Sequence, residues 1–576
     1  MTSYPVLPNG IRWVNSVLQT CIAKHKSCPS VRGTLLPKRL LSFRRLPSKG
    51  ISVRIQENQG ERGKYNALSY CWGSSQTCIT TSQALGGYKQ EIPWILLPNT
   101  FRDAIIFSLD LGIDLLWIDA LCIVQDDTRD WEIESAKMAD IYQNAFMTLA
   151  ATTSSSGSEG CFSMHRKPVR EYKLNPGVSH MEVSSLMVRE KLKHWTVPPT
   201  KISTQSYPLL SRGWAFQESY LSRRVLHFCS QELVWECREE TICECGGIST
   251  VRNQRERLLL MSEGVGPSRM FWKRFLPIPN VAKIFSTGNL QAMSDQWHGI
   301  VERYSALKLS KETDRLPALS GLAIRASSIL GEYLCGLWFD TFIDDLLWRV
   351  PMLDHGSGRP AKYIGPSWSW VSVKGSVKYW QDLADDLELN ETIQRLEDYS
   401  LTLDNEYERK DAKMRANSLS QLRAMLQTKA RSIHFECNVH PAGENPFGEV
   451  SSGCVQLLGY LQSATLKYVY SPQGPDSEYA LDPLKYQLEI HGTTHRSNLE
   501  LSFFADYVLS EGPHKLPQNT PLEMLLVHPY ICLVLRRKES DCVFERIGII
   551  RQPNSLLLLY QLDWMLSSTP TEVIIV

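Results

Sequence analysis

Leu116-Trp117-Ile118-Asp119-Ala120-Leu121-Cys122-Ile123-Val124-Gln125-Asp126-Asp127 passes from an apolar stretch into an acidic, polar loop, and a helical pattern follows at once. A short apolar strand that breaks into a polar loop ahead of a helix is how an α/β sheet brings polar groups to its ligand-binding edge. Upstream, Asn99 is placed to cap a helix with Phe101, Ala104, Ile105 and Leu109 on one face, and Gly112 ends it. Downstream, Asp130 is placed to cap a helix with the stripe Ile133, Met138, Ile141, Tyr142 and Ala145. Strand-like runs lie at 51–55, 67–70, 115–118, 146–151, 225–228 and 233–237, with a short helix around 214–220. The β-α-β-α-β order predicts an α/β fold with a mainly parallel sheet and helices on both faces.

A chain of 576 residues exceeds what one core usually serves. Residues 1–45 read as a helix and an extended lead-in, and 46–235 as the α/β unit. Residues 236–375 read as a helical region rich in tryptophan, with Trp338, Trp348, Trp368 and Trp370 in short apolar segments. The stretch 376–430 is charged and reads as a solvated helical insertion or a linker. Residues 431–576 alternate short apolar runs with turn signals, as a β-rich region does. An irregular insertion is expected between about 161 and 207.

Composition excludes some partners. With 62 basic and 61 acidic residues there is no net field to attract nucleic acid or a membrane surface. No apolar run reaches the roughly 18 residues of a membrane span; 530–535 and 556–560 read as buried strands. The first residues lack a basic region followed by an apolar core, so no secretory signal is visible. The 15 cysteines are scattered and odd in number, which predicts reduced thiols in the cytoplasm.

Cysteine spacing gives two weak metal patterns. Cys21, His25 and Cys28 form C-x3-H-x2-C, but a closed tetrahedral site needs a fourth ligand and none is adjacent. The expectation is a helix end packed on the next unit. Cys237, Cys243 and Cys245 have no standard zinc spacing, so no metal centre is expected. Cys122 follows a strand, yet no histidine lies near it to act as a base; it reads as a small buried hydrophobe.

Three further blocks frame the opening stretch. Tyr65 to Gly73 meets the pattern Y-x-A-L-S-Y-x-W-G in full. Trp117, Ile118, Asp119, Leu121, Cys122, Ile123 and Gln125 meet W-I-D-x-L-C-I-x-Q. Met138, Ile141, Tyr142 and Ala145 meet M-x-x-I-Y-x-x-A, and Arg212, Gly213, Trp214, Gln217 and Glu218 meet R-G-W-x-x-Q-E. Four blocks in this order resemble the heterokaryon-incompatibility (HET) domain of filamentous fungi. Residues 314–323, 366–370 and 546–548 also look like parts of larger fungal proteins that carry this domain. The resemblance implies an effector in self/non-self recognition that ends in programmed cell death. It also implies a distant likeness to the TIR domain, a flavodoxin-like fold. Many TIR domains cleave NAD with a glutamate in a W-C-x-x-E pattern. Here Trp214 and Glu218 keep that spacing, and Ala215 stands in place of the cysteine.

On that resemblance Glu218 is the candidate catalytic residue, with Trp72, Gly73, Asp119, Arg212 and Trp214 around the substrate. NAD is then a substrate, and no resident cofactor is required. The resemblance also implies assembly into a homo-oligomer and an incompatibility partner protein. Breaking the nicotinamide–ribose bond passes through an oxocarbenium-like state that a carboxylate stabilises. Each residue has a plainer reading beside this one. Glu218 serves equally as an ion-pair partner of Arg212, Arg223 or Arg224. Asp119 either holds a ribose hydroxyl or anchors the turn through backbone amides. Trp72 stacks on a ring or packs in the core, and Gly73 lets backbone approach a phosphate. Arg212 grips a phosphate or pairs with Glu218 or Asp119. Asp126 and Asp127 read as solvated loop or helix-start charges. No GxGxxG and no P-loop lysine is present. Two readings stay open: an NAD glycohydrolase, or a non-enzymatic signalling and oligomerisation module, with a degenerate regulator as its limiting form.

Overall fold

A strand buried on both faces reads as a mostly apolar run whose polar residues must find partners, and the centre of the first unit is built from such strands. The computed structural model describes residues 7–28, 33–47, 50–74, 78–162, 171–174, 186–189, 207–246, 249–251, 290–351, 353, 358–380, 394–395, 397–399, 401, 405–431, 433–470, 484–490, 502–528, 531–538, 542–551 and 569–576. The extreme N-terminus, most of the insertion expected between 161 and 207, residues 252–289 and 381–393, and the strand expected at 556–560 lie outside the described residues. The chain divides into two units, residues 1–288 with 318–325, and residues 289–317 with 326–576. Among the described residues, no helix is long and apolar enough to cross a membrane.

Among the described residues, the first unit carries a nine-stranded sheet. Its strands are β1 (Arg39–Arg45), β2 (Ile51–Glu57), β3 (Asn66–Ser69), β4 (Leu115–Trp117), β5 (Met147–Ala150), β6 (Arg224–Phe228), β7 (Leu233–Cys237), β8 (Glu240–Cys243) and β9 (Ser249–Val251). The spatial order is β9-β8-β7-β6-β5-β3-β4-β1-β2. Only β4, β3, β5 and β6 run parallel to one another. Every residue of β3, β5 and β6 is buried, whereas the outer strand β2 alternates.

The expectation of a mainly parallel sheet is therefore corrected: the sheet is mixed, and most of its pairings are antiparallel. Chain length explains the difference. A parallel crossover needs a dozen or more residues, and β1 to β2, β6 to β7 and β7 to β8 are joined by far fewer. Those links can only be hairpins. The long connections, which carry helices, are the ones that enter the parallel centre.

The longer helices among the first unit's described residues include α1 (Leu7–Lys24), α2 (Asn99–Asp110), α3 (Thr128–Ala136), α4 (Met138–Asn144) and α5 (Gly213–Leu221). They cover both faces of the sheet. Leu68, Leu116, Met147 and Leu149 point into one cluster with Phe101, Ala104 and Ile105 of α2 and with Val14 of α1. Their strand neighbours Ala67 and Trp117 point the other way, against Met138, Ile141 and Tyr142 of α4. This is the period-two alternation of a strand between two layers.

Two local expectations are corrected. Asp127, not Asp130, caps α3, by accepting the amides of Arg129 and Asp130. Asp130 turns inward instead and pairs with the buried Arg39 of β1. The stripe from Ile133 to Ala145 belongs to two helices, broken at Lys137. Asn99 is the first residue of α2 rather than its cap, which is Pro98.

The second unit is β-rich, as expected for 431–576. Among the described residues, nine strands form one sheet in which all pairings are antiparallel except Val543–Arg551 with Thr571–Ile575. Arg546 is fully buried on Val543–Arg551. It pairs with the equally buried Asp506 at 3.1 Å, donates to the Leu346 carbonyl at 2.7 Å, and lies 3.5 Å over the Trp348 ring. Charged residues 406–431 form a single helix, Glu406–Arg431, whose described side chains are mostly exposed.

Candidate functional site

The four parallel strands define a binding edge. In chain order they are β3, β4, β5 and β6, and in space they run second, first, third, fourth. The strand order reverses between β3 and β5. In open α/β sheets a ligand crevice lies outside the carboxyl ends of the strands at such a point. Ser69 ends β3 and Ala150 ends β5, so both stand at this reversal.

Glu218 reaches this place from α5. Its side chain is 7% exposed, and its Oε2 accepts a short hydrogen bond from the Ser69 hydroxyl. Burial raises the Glu218 carboxyl from 4.5 to about 7. The Ser69 hydrogen bond opposes that rise, the negative Asp119 adds to it, and Arg212 and Tyr142 pull it down. The Tyr142 hydroxyl donates to the Leu68 carbonyl at 3.0 Å, which fixes it beside Glu218. Ion pairing of Glu218 with Arg223 or Arg224 is not what the structure shows. Arg223 donates toward Asn144, and Arg224 donates to the Phe146 and Cys28 carbonyls. Arg212 acts on Glu218 and Asp119 through space while its guanidinium donates to the Tyr70 carbonyl at 2.7 Å.

Asp119 opens a short helical turn, Asp119–Cys122, directly after β4. One of its oxygens accepts the Ala120 amide at 2.7 Å, and the other accepts Nε1–H of Trp72 at 2.7 Å. It anchors its own turn and fixes Trp72 in one orientation. Burial raises its carboxyl, against the Trp72 and Ala120 hydrogen bonds and the Arg212 charge. Trp72 is partly buried and packs against the core on its other side. Trp214 packs against the cluster under α4.

Gly73 has φ +77, and a Cβ there would meet Ser156 Cβ at 2.7 Å. Its freedom is used for a left-handed turn and for the close approach of the 154–158 loop. Asp126 accepts the Ser82 amide at 2.7 Å. Cys122 is buried and receives the Ile118 amide; burial pushes its thiol up to about 12, which leaves no thiolate for nucleophilic work.

The structure thus brings Trp72, Asp119, Arg212 and Glu218 together at one sheet edge. It adds residues that sequence reading took as strand or helix packing: Tyr142 and His227. His227 is buried in β6, with Nδ1 2.9 Å from the Thr152 hydroxyl and Nε2 3.3 Å from a Glu236 oxygen. Ser69, Thr148, Ala150, Leu209, Ala215 and His227 line a cavity beside Glu218 of only about 10 Å³. That is room for about one water.

Beneath Glu218, the Ser222 hydroxyl donates to the Glu218 carbonyl at 2.6 Å and meets Thr148 at 2.6 Å. Next to it, Gln217 accepts the Gly321 amide at 2.7 Å. A Cβ at Gly321 would lie 2.3 Å from Ala139, so only glycine lets this segment seat on α4 and α5. The carboxyl-bearing turn of α5 is therefore held from both sides.

A mixed α/β unit with a carboxyl pair at its switch point is the class that fold and site define. Residues 65–218 match the family model described as heterokaryon incompatibility protein (HET). That segment begins at Tyr65, just before β3, and ends on Glu218. No curated protein and no solved structure matches the chain.

Proposed function

We propose that the 65–218 segment is an effector of heterokaryon incompatibility, acting in self/non-self recognition and cell death in the fungal cytoplasm. We further propose that its assembled form cleaves the nicotinamide–ribose bond of NAD, with Glu218 as the catalytic residue. One observation carries the reading: Glu218 is a buried carboxyl at the switch point, beside a second carboxyl, titrating near neutrality. Groups tuned in this way are concentrated in catalytic sites. The order of the four parallel strands is that of a flavodoxin-like sheet, which supports the TIR-like part of the reading.

The chemistry follows from the charges. Without substrate, burial and Asp119 favour protonated Glu218. A cationic nicotinamide ring brought alongside would favour the ionised form. The carboxylate would then stabilise the oxocarbenium-like ribose as neutral nicotinamide leaves. Trp72, held by Asp119, offers a flat face, and Arg212 a charge for the phosphates. This reading assigns completion of the site to the assembly of chains.

The hydrogen bond from Ser69 to Glu218 also favours a second reading, a recruitment module in which Glu218 only holds α5 against β3. The test is NAD loss over time by the assembled, folded chain, wild type against Glu218→Gln. Loss abolished by the substitution supports the enzyme. Loss that survives it removes Glu218 from the chemistry. No loss from the assembled wild type sinks the enzymatic reading and leaves the recruitment module.

A further inference from the structure

We infer that Cys21, His25, Cys28 and Cys237 form a structural zinc site that clamps α1 to the end of β7. The spacing C-x3-H-x2-C supplies three donors, and the fold supplies the fourth. One donor atom from each of the four residues lies within 4.8 Å of every other. Tetrahedral zinc, with bonds of about 2.0–2.3 Å, sets its donors roughly 3.5–3.8 Å apart. Cys237 Sγ and His25 Nδ1 are 3.3 Å apart across 212 residues of sequence.

Local structure explains how the donors converge. Cys21 lies in the last turn of α1 and His25 one helical turn on, so both face the sheet. The chain then turns back, with the Cys28 amide bonded to the His25 carbonyl at 3.2 Å. Cys237 is the last residue of β7. All three cysteines are buried.

The groups around the donors are those a metal needs. His25 turns Nδ1 toward Cys237 and Nε2 toward a Glu240 carboxylate oxygen at 3.5 Å. A carboxylate behind the second ring nitrogen is the usual way a ligating histidine is held in one tautomer. Three thiolates around one zinc carry a net negative charge, which is costly to bury alone. Arg224, opposite Cys237 in the β6–β7 register, is 1% exposed and aims Nε–H at Cys21 Sγ at 3.4 Å. It also donates to the Cys28 carbonyl at 2.8 Å, so one buried cation serves two of the four residues.

Four protein donors leave no position for water or substrate, so the site is structural rather than catalytic. Its place gives it a purpose. Cys21, His25 and Cys28 precede the 65–218 segment and Cys237 follows it. One metal would tie the two flanks of that segment together and close a long loop in the unfolded chain.

The test uses the full chain purified under reducing conditions from zinc-replete cells. Metal content is read by elemental analysis, and the geometry by replacement with cobalt(II). One zinc per chain is expected, with tetrahedral d–d bands and thiolate-to-cobalt charge transfer after exchange. Cys237→Ser should lose the zinc, whereas Cys245→Ser should keep it. His25→Cys should retain metal and shift the d–d bands; this variant decides the matter if Cys237→Ser does not fold. Folded wild type without stoichiometric zinc, or with a disulfide among these cysteines in its place, overturns the proposal. So do zinc retained by folded Cys237→Ser, zinc lost from Cys245→Ser, and a cobalt spectrum unchanged by His25→Cys.

Discussion

The hydroxyl of Ser69 donates to Oε2 of Glu218, so the last residue of β3 holds the carboxyl of α5. The two residues are 149 positions apart. Ser69 stands where the order of the parallel strands reverses, and it is the strongest influence that lowers the Glu218 pKa.

Removing that donor has a defined sign. In Ser69→Ala the carboxylate loses a hydrogen bond to its charged form, so Glu218 should titrate above its present value of about 7. An infrared titration of the protonated carboxyl band, with Glu218→Gln as the blank, reads this directly. If the chain cleaves NAD, the acid limb of its pH profile should move up with it. A downward move would mean that Ser69 is not the hydrogen-bond donor.

Burial of Glu218 also makes stability depend on pH. Its folded pKa is raised from 4.5 to about 7. The stabilising contribution is therefore fully present below about pH 4.5 and is lost as pH rises through 7. A shift of this size corresponds to something on the order of 3 kcal/mol. Glu218→Gln keeps an acceptor for Ser69 and cannot ionise. Relative to wild type it should gain stability between pH 4.5 and 8, as measured by denaturant unfolding at both ends. Parallel pH curves for the two proteins would show that the carboxyl is not buried as described.

Asp130 carries the opposite sign. Burial opposes its ionisation, but hydrogen bonds from Arg39, Lys38 and the Val124 amide bring its carboxyl well below the usual range. Its contribution is present above about pH 4 and is lost as pH falls through the folded pKa. Arg39 and Asp130 are 3% and 6% exposed, whereas Lys38 is 46% exposed and adds little. Asp130→Asn leaves a buried guanidinium uncompensated and should cost about 3–5 kcal/mol. The double substitution Arg39→Met with Asp130→Leu should cost less than Asp130→Asn alone. Equal costs would show that the pair is not acting as a buried unit.

How far the sequence could be read depends on the range of the interactions. The buried strands β3, β5 and β6 show as largely apolar runs, and α2 as a periodic stripe, because those signals are local. Hairpin lengths of two to five residues at β1–β2, β6–β7 and β7–β8 were visible in the chain. Reading the strands by order rather than by connection length hid the antiparallel flanks. Asp127 and Asp130 are equally good cap residues by type; Arg39, 91 positions away, decides between them. Cys237 could not be matched to Cys21, His25 and Cys28 by spacing, because only the packing of α1 against β7 brings it there. The same holds for Glu218: the motif marked it, but Ser69 and Tyr142 set its chemistry.

Gly73 separates a role in the turn from a role toward a phosphate. With φ +77, any other residue is strained there, and a Cβ would press on Ser156 Cβ at 2.7 Å. Gly73→Ala should cost about 1–3 kcal/mol, through the backbone and the displaced 154–158 loop. Because the fold already accounts for the glycine, Gly73→Ala should lower stability and, if the chain cleaves NAD, leave its KM unchanged once the protein is folded at low temperature. A KM increase with unchanged stability would instead place a phosphate against this backbone. The flanking Ser156→Gly change relieves the clash but not the strain on φ. It should therefore recover only part of the stability lost in Gly73→Ala, and unfolding curves of the three variants measure how the cost divides.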